Sequence, residues 1–332
     1  MSLKKIAAIV GVSPSTVSRV LNNASSTCAS KEVRNRIFQA AREIGYKPNE
    51  NARKLQAASA KPKPQCHVSI VLARIPSLEI DPFFHELFQS LEVALIENYA
   101  TIDHIIYAEE MPFSQDISKS HGVIILGRCS KKLLDQILEQ NPNAVGIWRN
   151  SMNFNVDEVV CDGKKAAERA MEHLISLNHR NIAYIGDCSY ESRYIGYCNS
   201  LIQHDIPMNY DWIKPTDQTK EAGTAAVTEL LRHSPDVSAI FCANDVTAIS
   251  ALEVLKKEKR ALTRKISVIS IDNIEDSQNT SPFLTTINIP RGEMAHMAVF
   301  LLLDRIARKH TESVRIEFPC RIIKRDSCYR NE

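Results

Sequence analysis

From Val68 onward, apolar segments of strand length alternate with amphipathic segments of helix length, and this alternation restricts the possible folds more than any other feature. Strands are expected at Val68–Ala73, His104–Ala108, Gly122–Leu126, Ala144–Trp148, Asn181–Ile185, Ala239–Ala243, Ile266–Ile271 and Thr285–Ile289. A helix from Phe84 turns Leu87, Phe88, Leu91, Ala94 and Leu95 to one side. Further helices are expected at Lys164–Leu177, Lys220–His233, Val246–Lys257 and Arg291–Lys309. Such alternation builds parallel sheets covered by helices on both faces. Around ten strands in some 265 residues are too many for one core, so two α/β lobes with a cleft between them are expected. Ligands of open α/β sheets bind beyond the carboxyl ends of the strands. Trp148, Asn244-Asp245 and Asp272-Asn273 fall at such ends.

The first sixty residues obey a different pattern. Leu3 to Ile9 reads as a helix that Gly11 breaks, because glycine accepts the positive φ of a helix C-terminus. Ser13 is placed to cap a second helix, with Pro14 at its first position, where a missing N–H costs nothing. Val17, Val20 and Leu21 form its apolar stripe, leaving Ser15, Thr16, Ser18 and Arg19 to face a partner. A third helix spans roughly Lys31 to Ile44, with Val33, Ile37, Phe38, Ala41 and Ile44 on one face. This is the pattern of a helix-turn-helix whose second helix enters the DNA major groove, and an ordinary helical hairpin would share it. Charge separates the two. Residues 1–61 hold eleven Lys or Arg against three acids, a net +8, whereas the whole chain is +2, leaving −6 for the remainder. A basic head on an acidic body suits a polyanion.

After Gly45 and Tyr46-Lys47-Pro48, residues 49–56 form a helix-prone segment of barely two turns, too short to be stable alone in water. The small, basic, proline-containing stretch after it, residues 59–65, reads as a linker. The expected division is therefore a head with hinge helix over 1–58, the linker, and a core over 66–332. Lobe 1 would take about 66–159 and 290–319, and lobe 2 about 160–289 and 320–332.

Several function classes lack their motifs. No G-x-G-x-x-G follows a strand, and no G-x-x-x-x-G-K-[ST], G-x-S-x-G or H-E-x-x-H occurs. The histidines, among them His85, His121, His173 and His179, are dispersed, so no metal, no cofactor and no enzymatic activity is expected. Nine cysteines without a C-x-x-C pair, most in apolar runs, read as buried free thiols of a cytoplasmic protein. No apolar run approaches the ~20 residues of a membrane span, and no secretory signal opens the chain.

Nearly the whole chain resembles the lactose-repressor/galactose-repressor family of bacterial transcription regulators. The resemblance rests on GVSPSTVSRVLN at 11–22, NARKL at 51–55, DPFF at 81–84, VDEVVCD at 156–162, HLISLNHRNIAYIGD at 173–187, AIFCAND at 239–245, SPFLTTINIP at 281–290 and RDSC at 325–328. It implies a helix-turn-helix head, a hinge helix and two Rossmann-like lobes of the periplasmic-binding-protein type. It also implies that Pro14, Ser15 and Arg19 read bases, with Thr16 and Ser18 near the phosphates and Ser13, Asn22 and Tyr46 also in the DNA-binding surface. Proline is a departure at the first reading position, since its side chain can touch only a thymine methyl. The segment from Asn22 to Ser30 is about two residues longer than usual, by comparison with the family's reading helix and the helix that follows. At the hinge, Leu55 would wedge into the central minor groove, Ala52 would let two hinge helices approach, and Asn49 would meet the backbone.

The same resemblance places an effector between the lobes, against Phe83, Phe84, Trp148, Arg193, Gln218, Asn244 and Asp272. Aromatic rings with Arg, Asn and Asp suit the C–H face and hydroxyls of a sugar, although Phe83 and Phe84 equally fit a core. With no leucine heptads after the family's final strand, a homodimer and not a tetramer is expected. The implied function is a repressor of carbohydrate-utilisation genes bound to a pseudo-palindromic operator and controlled by a sugar. A corepressor-type regulator responding to a purine or a phosphoprotein is the alternative.

Overall fold

The computed structural model describes residues 3–21, 29–43, 66–73, 75, 77–108, 116–189, 191–258 and 265–332. The chain forms two compact units, Met1–Lys63 and Pro64–Glu332. In the first, α1 (Leu3–Val10), α2 (Pro14–Leu21) and α3 (Lys31–Glu43) pack on one another. Gly11 ends α1 at φ +75°, and its amide and that of Val12 both donate to the Ala7 carbonyl. Ile6, Val10, Val17, Val20, Ile37, Ala40 and Ala41 make the core, with Val33 half-buried beside it. Ile44 and the side chains of Leu21 and Phe38 lie outside the described residues.

The second unit holds two six-stranded sheets. The first combines β1 (Cys66–Leu72), β2 (Ala100–Tyr107), β3 (Gly122–Leu126), β4 (Ala144–Trp148), β5 (Asp157–Val160) and β11 (Arg315–Glu317) in the order β11-β5-β4-β3-β1-β2, all parallel. Helices α4 (Pro82–Glu97) and α10 (Arg291–Ile306) pack against each other on one face, and α5 (Lys131–Gln140) contributes to the apolar cluster on the other.

The second sheet runs β12-β10-β9-β8-β6-β7, from β6 (Ile182–Gly186), β7 (Ile213–Pro215), β8 (Ala239–Cys242), β9 (Ser267–Asp272), β10 (Thr285–Asn288) and β12 (Arg321–Ile323). Its pairings are parallel except for β10 with β12. Helices α6 (Gly163–Ser176), α7 (Ser192–Gln203), α8 (Lys220–His233) and α9 (Asp245–Lys257) surround it. The chain passes between the sheets three times, at 161–162, 289–290 and 318–320. Two sheets joined by three short crossovers leave a cleft at the strand ends and a hinge beside it.

The expected strands are all present, and four more appear: β5, β7, β11 and β12. No described helix is long and apolar enough to cross a membrane. His179 is a satisfied core residue, bonded through Nδ1 to Ser238 and through Nε2 to the Tyr329 carbonyl and Ser267.

Candidate nucleic-acid interface and interlobe cleft

The N-terminus of α2 is built by one residue. Ser13 Oγ accepts the Thr16 amide at 3.1 Å and hydrogen-bonds the hydroxyls of Ser15 and Thr16 at 2.7 and 2.8 Å. Three hydroxyls are thus gathered at a helix N-terminus, where the free N–H groups favour an anion such as phosphate. Ser13, Pro14, Ser15 and Arg19 are exposed and Thr16 half-buried, while Val17 and Val20 point into the head core. Arg19 leans along the helix, its Nε 3.4 Å from the Ser15 carbonyl. The Ser18 side chain and the whole of Asn22, Tyr46, Asn49, Ala52 and Leu55 lie outside the described residues, as do the hinge helix and linker.

In the cleft, Asp81 caps α4 by accepting the amides of Phe83 and Phe84. The two rings meet edge to face at 5.2 Å. Phe83 is buried, and the Arg149 guanidinium lies 4.0 Å from its ring centre with that of Arg291 at 5.5 Å. Arg149, directly after β4 of lobe 1, makes a two-pronged ion pair with Asp272 at the end of β9 in lobe 2. Arg291 donates to the carbonyls of Asp272 and Asn273 and to Glu86, whose other oxygen accepts the Glu275 amide. The lobes are therefore held together by their own charged groups across the cleft.

Arg193 is 4% exposed, and its Nε and Nη1 bond Glu191 at 2.9 Å and the Ala243 carbonyl at 2.6 Å. Burial, the largest single influence, raises the Glu191 carboxyl, but the Arg193 charge, the two hydrogen bonds Arg193 donates and the Arg149 charge together outweigh it and hold the group at about 2. Asn244 caps α9 through the Thr247 amide and donates to the carbonyl of Gln218, a residue at φ +67°. The structure thus brings Phe83, Phe84 and Asp272 together around Arg149, while Arg193 is bonded to Glu191 and to the carbonyl before Asn244, which in turn holds Gln218.

Trp148 corrects the expectation. It is 2% exposed and belongs to the apolar cluster on the α5 face of the first sheet, not to the cleft. Its ring fills the space above Gly146, where any Cβ would fall within 2.0 Å of it, and Nε1 donates to Glu158 at 2.7 Å. Strand alternation is the reason: Ala144, Gly146 and Trp148 share one face, and the next residue, Arg149, reaches the cleft instead. Arg149, Glu191, Arg291 and Glu86 were not singled out from the sequence. Arg149 carried a signal, since it follows a strand end directly, whereas Glu86 and Arg291 lie 205 residues apart and carried none.

Residues 2–49 match the model of bacterial regulatory proteins of the lacI family, and residues 171–328 match the periplasmic binding protein-like domain. The HTH-type transcriptional repressor CytR of Escherichia coli is 30% identical over 341 residues, covering 98% of this chain and 96% of that protein. The chain belongs to the lacI family. This lacI-family chain is 27% identical to the probable HTH-type transcriptional repressor ExuR of Bacillus subtilis, over 99% of each. Its fold matches the transcriptional regulator CelR–cellobiose complex with a TM-score of 0.70 and 26% identity, covering 98% and 99% of the two chains. The lac repressor dimer bound to operator and the anti-inducer ONPF shares the fold at a TM-score of 0.69 and 20% identity over 99% of each. The head is accordingly a DNA-binding module, and the chain a transcriptional regulator of the repressor type. Among the described residues no group of three or more His, Cys, Asp or Glu is placed to hold a metal.

Proposed function

We propose that this regulator is a cytoplasmic homodimer that represses carbohydrate-utilisation genes and responds to a sugar held between its lobes. The observation carrying this reading is Asp272, 2% exposed and facing the Arg149 guanidinium from the opposite lobe, beside the Phe83 ring. A sugar offers hydroxyls that donate to Asp272 and accept from Arg149, and a C–H face for Phe83 or Phe84. It would replace a protein–protein ion pair with two protein–ligand contacts. CelR, a relative in sequence and fold, was solved with cellobiose. In this reading the head and hinge helix comprise 1–58 and the core 66–332. Pro14, Ser15 and Arg19 read bases, Thr16 and Ser18 meet phosphates, Ser13, Asn22 and Tyr46 also belong to the DNA-binding surface, and Asn49, Ala52 and Leu55 act in the central minor groove.

Titration calorimetry of the full chain against neutral sugars, sugar acids and purine bases tests the effector class. A sugar should bind, and Asp272→Ala should lose that binding while the protein stays folded. Binding of a purine with no response to any sugar would replace this reading with the corepressor one.

A further inference from the structure

Two of the three crossovers that join the lobes carry a cysteine. Cys161 follows β5 at the first crossing, and Cys320 precedes β12 at the third. The crossings run side by side: Glu317 is in register with Val160, and the Phe318 amide donates to the Val160 carbonyl at 2.8 Å. Both thiols are free and buried, on segments that this pairing holds side by side. Among the described cysteines, no others lie on the crossovers between the sheets.

The arrangement goes beyond what a buried small hydrophobe needs. We propose that Cys161 and Cys320 are an oxidisable dithiol, a modification site whose disulfide ties the first and third crossovers together and restricts the hinge between the lobes. Cys320 is the attacking group. The thiol of Cys161 keeps the shared proton and donates toward Cys320, burial opposes ionisation, and Arg169 favours it, so that Cys320 is held down to about 7 while Cys161 is held up. Asp162 acts against ionisation on both.

The oxidant is a hydroperoxide, small enough to enter beside the exposed Pro319. The Cys320 thiolate attacks the terminal peroxide oxygen, the O–O bond breaks, and the departing oxygen leaves as water or an alcohol after protonation. The resulting sulfenic acid is attacked by Cys161 at sulfur. The S–O bond breaks, hydroxide leaves with the Cys161 proton as water, and the S–S bond forms. Two thiols and one hydroperoxide thus give one disulfide, one water and one water or alcohol. A sulfur–sulfur bond between crossovers limits the hinge because lobe opening requires those segments to rotate against each other.

The test uses the full-length protein, hydrogen peroxide and alkylation of the remaining thiols. Free thiols in denaturant should fall from nine to seven per chain. Tryptic digestion without reductant should give peptide 150–164 linked to peptide 316–321, each holding one cysteine. The link should vanish with dithiothreitol and be absent from Cys320→Ser. Amide exchange at residues 82–90 and 273–279, on the two sides of the cleft, should slow on oxidation and recover on reduction in the wild type alone. Nine thiols surviving in folded protein, a Cys188–Cys198 link instead, or a 161–320 link that leaves exchange unchanged would each overturn the proposal.

Discussion

Arg19 and Trp148 show how far a single side chain can be read from its neighbours. Arg19 is exposed on the outer face of α2, held only loosely by the Ser15 carbonyl. A guanidinium there can take both acceptors of a guanine, so Arg19→Ala should weaken specific operator binding by roughly 1–3 kcal/mol and leave salt-driven non-specific binding largely intact. Equal losses in gel-shift titrations on specific and random duplexes would make it a phosphate contact. Trp148 lies at a strand end, but strand parity decides its direction, and parity puts it under the sheet. Trp148→Phe should therefore keep any effector response and cost roughly 1–3 kcal/mol of stability in urea titration, because Glu158 loses its indole donor.

A third residue ties pH to stability. Asp245 is fully buried, accepting Ser270 and Thr286 hydroxyls and the Ile274 amide. Burial first, then the charge of Asp272, pushes it from 3.8 up to about 7 despite those three donors. Between these values the folded protein holds a proton that the unfolded chain has released. The associated stability is complete below about pH 4 and is lost as pH rises through 7, with a slope of up to about 1.4 kcal/mol per pH unit. Asp245→Asn should remove this slope from urea-unfolding free energies measured between pH 5 and 8. An unchanged slope would show that Asp245 is already ionised at pH 5.

At the scale of elements, long amphipathic helices and five-residue apolar strands were legible, because each carries its period in the local sequence. Helix α7 was not. Ser192–Gln203 contains Gly196 in its middle, which lowers helix propensity by about 1 kcal/mol. The reason for the glycine is tertiary: a Cβ there would lie 2.5 Å from the Lys164 carbonyl and 2.7 Å from Ala167 Cβ, on the helix packed against it. Gly196→Ala should accordingly destabilise by about 1–3 kcal/mol, since overpacking against backbone outweighs the propensity gain. A higher melting temperature would refute that account. Strand β5 was hidden for a related reason. It opens with Asp157 and Glu158, whose charges interrupt the apolar pattern of a strand, yet both are buried, and the arginines paired with them, Arg305 and Arg315, lie far along the chain. Asp157 takes Arg305, His310 and the Val314 amide, while Glu158 takes Trp148, Ser151, Arg315 and the Met152 amide.

For the whole molecule, two lobes followed from the number of strands, but what holds them did not follow from any local pattern. One ion pair spans the cleft, Arg149–Asp272, and a second within lobe 1, Arg291–Glu86, reaches across to the Asp272 and Asn273 carbonyls and the Glu275 amide, with no partner side chain more than a quarter exposed. A partly buried pair of this kind is strongly coupled, because removing one partner strands the other's charge in a poorly hydrated site. The Arg149→Ala and Asp272→Ala single variants should each destabilise, and the double variant should cost less than their sum, with a coupling of roughly 1–3 kcal/mol in urea unfolding. Because Arg149 also covers the Phe83 ring, its removal should speed amide exchange at residues 82–90 and 273–279 together. Coupling near zero with unchanged exchange would mean that the lobes spend their time apart in solution. The ion pair would then be a contact of a minor closed state, and an effector would have to close the cleft instead of displacing an existing latch.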